Sequence, residues 1–206
     1  MGFYARQIFP RMLDWALSSE EVNRQRRATL APLRGRVLEI GFGTGLNLPH
    51  YPGTVTHLTI IDPERMLADR VARRIAAAVM PVEKMYLDAS GRLPFADDSF
   101  DGVATTFTLC TIADVAAALA EMRRVLKPTG VMAFLEHGLS DDARTARWQH
   151  RLTPMQKVVA CGCHLNRPID ALITSAGFAI DQLARELIAG LPPVVGSIYR
   201  GTARKF

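Results

Sequence analysis

The 206-residue chain lacks any uninterrupted apolar run approaching the roughly 18 residues of a membrane-spanning helix. Its start shows no apolar signal core followed by a small-residue cleavage site, so the expected location is the cytoplasm. Cysteine is scarce: Cys110, Cys161 and Cys163 cannot all pair, and the last two are too close to staple anything, which excludes a secreted disulfide scaffold. Aromatic residues make up only 7% of the chain and do not interleave with the basic clusters Arg24 to Arg27, Arg73-Arg74 and Arg123-Arg124. That argues against a single-strand nucleic-acid groove, and the net charge of +5 is expected to lie on solvated helix faces, with no nucleic-acid partner. Internal repeats and low-complexity linkers are also missing, and the length suits one domain.

What is present is an alternation of strand-like and helix-like segments, which predicts an α/β fold around a mostly parallel sheet. Seven strands are expected, at residues 36–40, 55–61, 82–87, 102–106, 130–136, 178–184 and 196–202. Pro63 to Val79 is expected to be a helix with proline in its first turn, and Ala113 to Leu126 another, stopped by Lys127-Pro128. Phe3 to Thr29 predicts one or two helices interrupted near Pro10, and Asp141 to Ala176 is read as helical with breaks near Pro154 and Pro168. The layout is then an N-terminal helical lid (1–30), a cofactor-binding half (31–138), and acceptor-side helices with the last two strands (139–206). In the lid, Tyr4, Ile8, Met12 and Trp15 recur at helical spacing beside Arg6 and Arg11, an apolar stripe expected to pack over the site. Interfacial membrane binding through the same helix is the alternative.

The chemistry concentrates after the first strand. Val37 to Gly41 runs into glycines at 41, 43 and 45, which permit a tight turn and close approach of a ligand to backbone. A dinucleotide-binding dehydrogenase would place its third glycine at 46, where this chain has leucine. About twenty residues on, the second strand ends in Asp62, placed to accept hydrogen bonds from ribose hydroxyls; capping a helix from Pro63 is compatible with that role.

Glu39, Gly41, Gly43 and Gly45 together resemble the first motif of the class I S-adenosylmethionine-dependent methyltransferases, an acidic residue, one residue, then G-x-G-x-G. The resemblance continues through Asp62, Asp88, the lead-in Leu93 to Asp101 and Arg124 to Pro128, with Thr129 departing from the glycine many relatives carry. It implies a Rossmann-like fold with helices on both faces and S-adenosylmethionine as cofactor. The implied cofactor surface is Glu39, Ile40, Gly41, Gly43, Thr44, Gly45, Asn47, Asp62, Pro63, Met66, Asp88, Ala89, Thr106 and Phe107. Glu39 would orient the methionine end and Asp88 would contact the adenine amino group, unless Asp88 is only a turn residue. Asp101 reads as a structural residue at a strand edge.

Three further segments resemble the small thiol S-methyltransferases of the methyltransferase-like group: Leu109-Cys110-Thr111, Phe134 to His137, and Gly162 to Arg167. The resemblance implies in-line methyl transfer to a small thiol or hydrogen sulfide. Animal members carry an N-terminal apolar anchor, whereas this chain starts almost directly at Phe9-Pro10, so anchoring is not carried over. His137, at the end of the fifth strand, is the candidate catalytic base, its alternative being a structural histidine. Cys110, Trp148, Cys163 and His164 are the candidate acceptor-site residues. For Cys110 a small apolar pocket residue is the plainer reading. Cys161-Gly-Cys163-His164 is spaced too tightly for a structural zinc site, so no metal is expected. Two other readings stay open: N-methylation of phosphatidylethanolamine, from the size, the loop type and the basic N-terminal helix, and a cofactor-binding protein without catalysis. The oligomeric state is not legible.

Overall fold

The computed structural model describes residue 4 and residues 8–206. Phe3 and Arg6 of the expected lid lie outside the described residues. Seven strands form one sheet in the order β3-β2-β1-β4-β5-β7-β6. They are β1 (Gly35–Ile40), β2 (Val55–Ile61), β3 (Val82–Met85), β4 (Phe100–Thr106), β5 (Leu126–His137), β6 (Phe178–Leu187) and β7 (Ser197–Lys205). The first five run parallel, and β7 is antiparallel to both β5 and β6. The expected mostly parallel sheet with helices is therefore the observed one.

Alternation along the strands sends side chains to two cores. Leu38, Ile40, Val103 and Phe134 face the core shared with Leu119 and Met122 of α4 (Val115–Val125) and Ile173 of α6 (Ile169–Ser175). Val37, Leu58, Ile60 and Ala104 face the other, with Leu30 of α2 (Glu20–Leu30) and Val71 of α3 (Ala68–Ala76). Each large side chain taken fully out of water contributes roughly 1.5–3 kcal/mol.

Several boundaries differ from the sequence reading. Pro63 does not open a helix: Asp62 accepts from the Glu64 amide at 2.8 Å and Leu67 adopts φ +42°, so 63–67 is turn and α3 begins at Ala68. Pro10 lies in the first turn of α1 (Phe9–Ala16) rather than breaking it; the break comes at Ser19, which caps α2 through the Val22 amide. Pro154 sits inside α5 (Ala143–Val159) without ending it. The carbonyl its missing N–H leaves free belongs to His150, an exposed residue that water can serve. Pro168 does mark a boundary, preceding α6. Lys127-Pro128 is already strand, because β5 starts at Leu126; the β4–β5 register shifts there from Phe100↔Leu126 to Gly102↔Val131, leaving Thr129 exposed.

The apolar stripe of α1 is also corrected. Trp15 is 81% exposed, with Ile8 and Met12 exposed too, while the side chains α1 turns inward are Pro10 and Asp14. The arginine clusters are not simply solvated. Arg26 is buried, and Arg74 donates to Asp14 at 2.6 Å. Arg124 clamps the lead-in to β4 by donating to the Leu93 and Phe95 carbonyls at 3.1 and 2.7 Å and to Asp97 at 2.8 Å. Asp101 is structural, as read: it accepts from the Arg36 amide at 2.8 Å and from Lys127 at 2.6 Å. No described helix is long and apolar enough to cross a membrane.

Where β7 inserts between β5 and β6 the strands meet at Gly201. A Cβ there would lie 2.1 Å from the Gln182 carbonyl oxygen and 2.6 Å from Phe134 Cζ. Gly201→Ala is expected to lower stability by about 1–3 kcal/mol. Urea unfolding followed by tryptophan fluorescence checks this, and an unchanged midpoint would mean the sheet gives way freely at this point.

Candidate functional site

The carboxyl ends of β1, β2, β4 and β5 share one edge of the sheet, and strand order reverses between β1 and β4, the place where open α/β sheets bind ligands. The chain leaves β1 at Gly41, whose φ is +72° and whose Cβ would lie 2.1 Å from Thr108 Cγ2, so only glycine fits. Gly43 also has positive φ, but a Cβ there would meet nothing within 4 Å: its bare backbone faces open space, a cradle for a ligand. The Gly43 amide donates to Asp62 at 2.8 Å, so the end of β2 holds the middle of the glycine loop. Burial raises the Asp62 pKa against the opposing pull of the Glu64 and Gly43 amides. Thr44 donates to Asp14 at 2.6 Å, and Asp14 also pairs with Arg70 and Arg74, which ties α1 and α3 to the loop. Burial opposes ionisation of Asp14, but the bonds from Arg74, Thr44 and Arg70 prevail and its pKa is lowered.

Beneath the loop lies a buried polar network. Glu39 accepts from Tyr51 and from Asn47, each at 2.7 Å. Asn47 donates also to Thr106 at 2.9 Å and accepts from Arg26 at 2.6 Å. Burial pushes the Glu39 pKa up to about 7 despite the bonds from Tyr51 and Asn47. Arg26 is only 3% exposed, yet no carboxylate of the described residues lies within ion-pairing distance of it, and its Nε has no hydrogen-bond partner. Burial lowers its pKa to about 10, partly offset by the field of Glu39. Its guanidinium lies 5.5 Å from the centre of the Phe107 ring.

A second group sits across the same edge, at the ends of β4 and β5. Cys163 Sγ, from the loop after α5, is 3.8 Å from Cys110 Sγ and 3.8 Å from His137 Nδ1. His137 is 6% exposed, and its Nε2 is buried without a partner. His164 pins the loop, its amide donating to the Cys110 carbonyl at 2.8 Å and its Nδ1 lying 3.2 Å from the same oxygen. Arg167 donates to the neighbouring Leu109 carbonyl. Glu136, fully buried, accepts from Thr105 Oγ1 at 2.6 Å and from the Thr108 and Cys110 amides at 2.8 and 3.4 Å, shaping the turn that carries Cys110.

The structure thus brings Glu39, Asn47, Asp62, Thr106 and Phe107 around the glycine loop, and His137, Cys110, Cys163 and His164 into one cluster. Others stand apart. Ile40 is a core residue, so only its backbone can border a ligand. Pro63 is exposed and Met66 half-buried on the turn before α3. Asp88 is exposed and accepts from the Ser90 amide at 2.9 Å, the turn bond of its plainer reading, while Ala89 is buried. Trp148 is exposed beside Arg151, 5.6 Å from ring centre to guanidinium, and does not join the cysteine cluster. Asp14, Arg26, Tyr51 and Glu136 received no role from the sequence. Arg26 had a signal: it shares the inward face of α2 with Val22, Thr29 and Leu30. Glu136 likewise ends a run of buried apolar residues in β5. Among the described residues no group of three or more His, Cys, Asp or Glu side chains is arranged to hold a metal ion.

A glycine turn at the switch point of this sheet, closed by an acidic residue at the end of the next strand, defines an α/β protein of the nucleotide-binding kind. Residues 38–134 match the family described as methyltransferase domain, and the chain belongs to the S-adenosylmethionine-dependent methyltransferases. It is 31% identical over 181 residues to thiol S-methyltransferase TMT1B of Rattus norvegicus, covering 86% of this chain and 68% of the relative. Phosphatidylethanolamine N-methyltransferase of Cereibacter sphaeroides is 28% identical, over 68% of this chain and 70% of that one. Among solved structures, a Thermotoga maritima methyltransferase described as a possible histamine N-methyltransferase shares the fold, with a TM-score of 0.64, 23% identity and coverage of 97% and 98%. The enzyme class and the S-adenosylmethionine cofactor expected from the glycine loop are those of the family.

Burial raises the Glu136 pKa to about 7 from 4.5, against the pull of Thr105 and the loop amides. A carboxyl that titrates higher when folded loses its proton first in the unfolded chain, so its contribution to stability falls as pH rises from about 4.5 to about 7 and is level above that. Glu136→Gln removes this group while keeping a carbonyl acceptor. The variant is expected to gain on the wild type steadily across that window in thermal melts; parallel melting curves would show that the carboxylate is stably ionised in the fold.

Proposed function

We propose that this methyltransferase transfers the methyl group to small thiols or hydrogen sulfide. One observation carries the reading: at the cofactor edge of the sheet His137 presents an imidazole whose Nε2 is buried and unpartnered, among sulfur-bearing side chains. The likeness to a thiol S-methyltransferase supports it. The cofactor suits the residues present, since Gly43 offers an open backbone cradle and Arg26 a buried cation without an anion. Asp62 would accept from the ribose hydroxyls through the lone pairs its amide partners leave free. Asp88 and Ala89 would border the adenine, with Pro63 and Met66 on its other side. Arg26, beside Asn47 and Thr106, would hold the carboxylate of the methionine end, while Glu39 keeps that network in place from below. When bound, the cofactor supplies a sulfonium methyl that a thiolate displaces. His137 Nε2 would take the proton of the acceptor thiol, whose own pKa near about 8.5 leaves it mostly protonated at neutral pH. Cys110 and Cys163 would line the acceptor side, and α1, tied to Thr44 through Asp14, would cover the loop.

A second reading, N-methylation of a phospholipid head group, is favoured by a specific surface. Met12 and Trp15 on α1 and Met155, Val158 and Val159 on α5 are exposed, and Tyr4 bonds the Val159 carbonyl at 2.9 Å, bringing the two apolar faces together. Such a face suits a peripheral membrane contact by a protein otherwise located in the cytoplasm. Sedimentation with phosphatidylethanolamine vesicles followed by head-group analysis distinguishes the two readings.

Two nucleosides test the cofactor assignment: S-adenosylhomocysteine, and methylthioadenosine, which has no carboxylate. Asp62→Ala is expected to weaken both by about 1–3 kcal/mol in calorimetry. Arg26→Met is expected to weaken S-adenosylhomocysteine by about 10–100-fold and leave methylthioadenosine unchanged. Equal losses in the second variant would remove Arg26 from the carboxylate.

With a panel of alkyl thiols and hydrosulfide, His137→Ala should lower kcat by about 10²–10⁴ at neutral pH without affecting cofactor affinity, and recover part of it as the pH approaches the acceptor's own pKa. No thiol turnover by the wild type, alongside turnover of another acceptor, rejects the thiol reading.

A further inference from the structure

The cysteine pair has a chemistry that methyl transfer does not require. Cys110 Sγ and Cys163 Sγ are 3.8 Å apart, and the amide of His164 donates to the Cys110 carbonyl at 2.8 Å, which holds the two backbones side by side. A disulfide needs about 2.05 Å between sulfurs and Cα atoms within about 4.4–6.8 Å. The hydrogen bond between the adjoining backbones keeps the two residues close, and side-chain rotation would bring the sulfurs together. The two thiols are unequal. Cys110 is 2% exposed, whereas Cys163 is partly open to solvent and has His137 Nδ1 at 3.8 Å. An accessible sulfur beside an imidazole, backed by a buried second sulfur, is the arrangement of an attacking and a resolving thiol.

We propose that Cys163 and Cys110 form a redox-active dithiol that reduces low-molecular-weight disulfides, Cys163 attacking and Cys110 resolving. Cys163 passes its proton to His137 Nδ1 and attacks one sulfur of RS–SR; the Cys163–SR bond forms, the RS–SR bond breaks, and RS⁻ leaves with the proton from His137. Cys110 then attacks Cys163 Sγ, forming the Cys110–Cys163 bond and expelling the second RS⁻, which takes the proton of Cys110. One disulfide is reduced to two thiols and the two cysteines are oxidised. An external thiol reductant returns the protein to the dithiol. The same preference appears in the thiols' acidities: the bond from Cys110 stabilises the Cys163 thiolate against burial, with His137 and Gln156 adding to it, while Cys110 is raised by that same bond and by burial. Cys161, two residues away, is raised by burial and is the internal control.

The inference does not rest on thiols being the methyl acceptor, and its readout is mass. The reduced full-length protein is incubated with oxidised glutathione, quenched in acid and mapped by mass spectrometry. The wild type should lose two hydrogens and yield a Cys110–Cys163 linked peptide, reversed by dithiothreitol. Cys110→Ser should instead retain one glutathione on Cys163, Cys163→Ser should form neither product, and Cys161→Ser should behave as the wild type. In the wild type, iodoacetamide at pH 7 should alkylate Cys163 at least about 10-fold faster than Cys161. Absence of the wild-type cross-link overturns the proposal, as does a Cys110→Ser adduct carried by Cys161. Binding of S-adenosylhomocysteine verifies that each variant is folded; should Cys110→Ser fail that check, the wild-type cross-link and the alkylation ratio decide.

Discussion

Two carboxylates buried on opposite faces of one sheet edge govern the architecture of the site. Glu39 and Glu136 come from neighbouring parts of the sheet, and period-two alternation sends the first to the α2 side and the second to the α4 side. A carboxylate in an apolar core is tolerated only when its oxygens find donors. Glu39 takes them from Tyr51 and Asn47 in the segment after the glycine loop, Glu136 from Thr105 in β4 and from Thr108 and Cys110 after it. The need to satisfy two buried acids thus constrains where the segment after the glycine loop and the turn after β4 run.

The cofactor half and the cysteine cluster are consequently not independent. Thr106 closes the Arg26–Asn47 network, and two residues on, Thr108 packs against Gly41 and answers to Glu136. A displacement of the turn after β4 would disturb both sides at once. Asp62 plays the matching part just after β2, buried itself and holding Gly43 and Glu64 with its two oxygens.

The outward face contrasts with this order. On α1 a single acid, Asp14, supplies the inward polar anchor through Thr44, Arg70 and Arg74, while Met12 and Trp15 of that helix are left to solvent. A helix whose polar side binds the protein and whose apolar side does not is the reverse of ordinary amphipathic packing. At this position α1 turns its acid toward two arginines of α3 and leaves Trp15 to solvent, and helical periodicity alone cannot reveal such an inversion.

The local pattern of residues was enough to establish the sheet, its parallel character, the glycine turn and the acid on the following strand, because each follows from alternation, backbone freedom or short spacing. Proline positions were read less well. Pro63, Pro10 and Pro154 each took a role set by neighbours: an Asp62 side chain competing for an amide, a free first turn, an exposed carbonyl. Only the folded chain could bring Cys163 to Cys110 and His137, or place Arg26 inside the Asn47–Thr106 network. These contacts join residues 21 to 80 positions apart, and which of several arginines or cysteines becomes buried depends on what the rest of the chain packs against it.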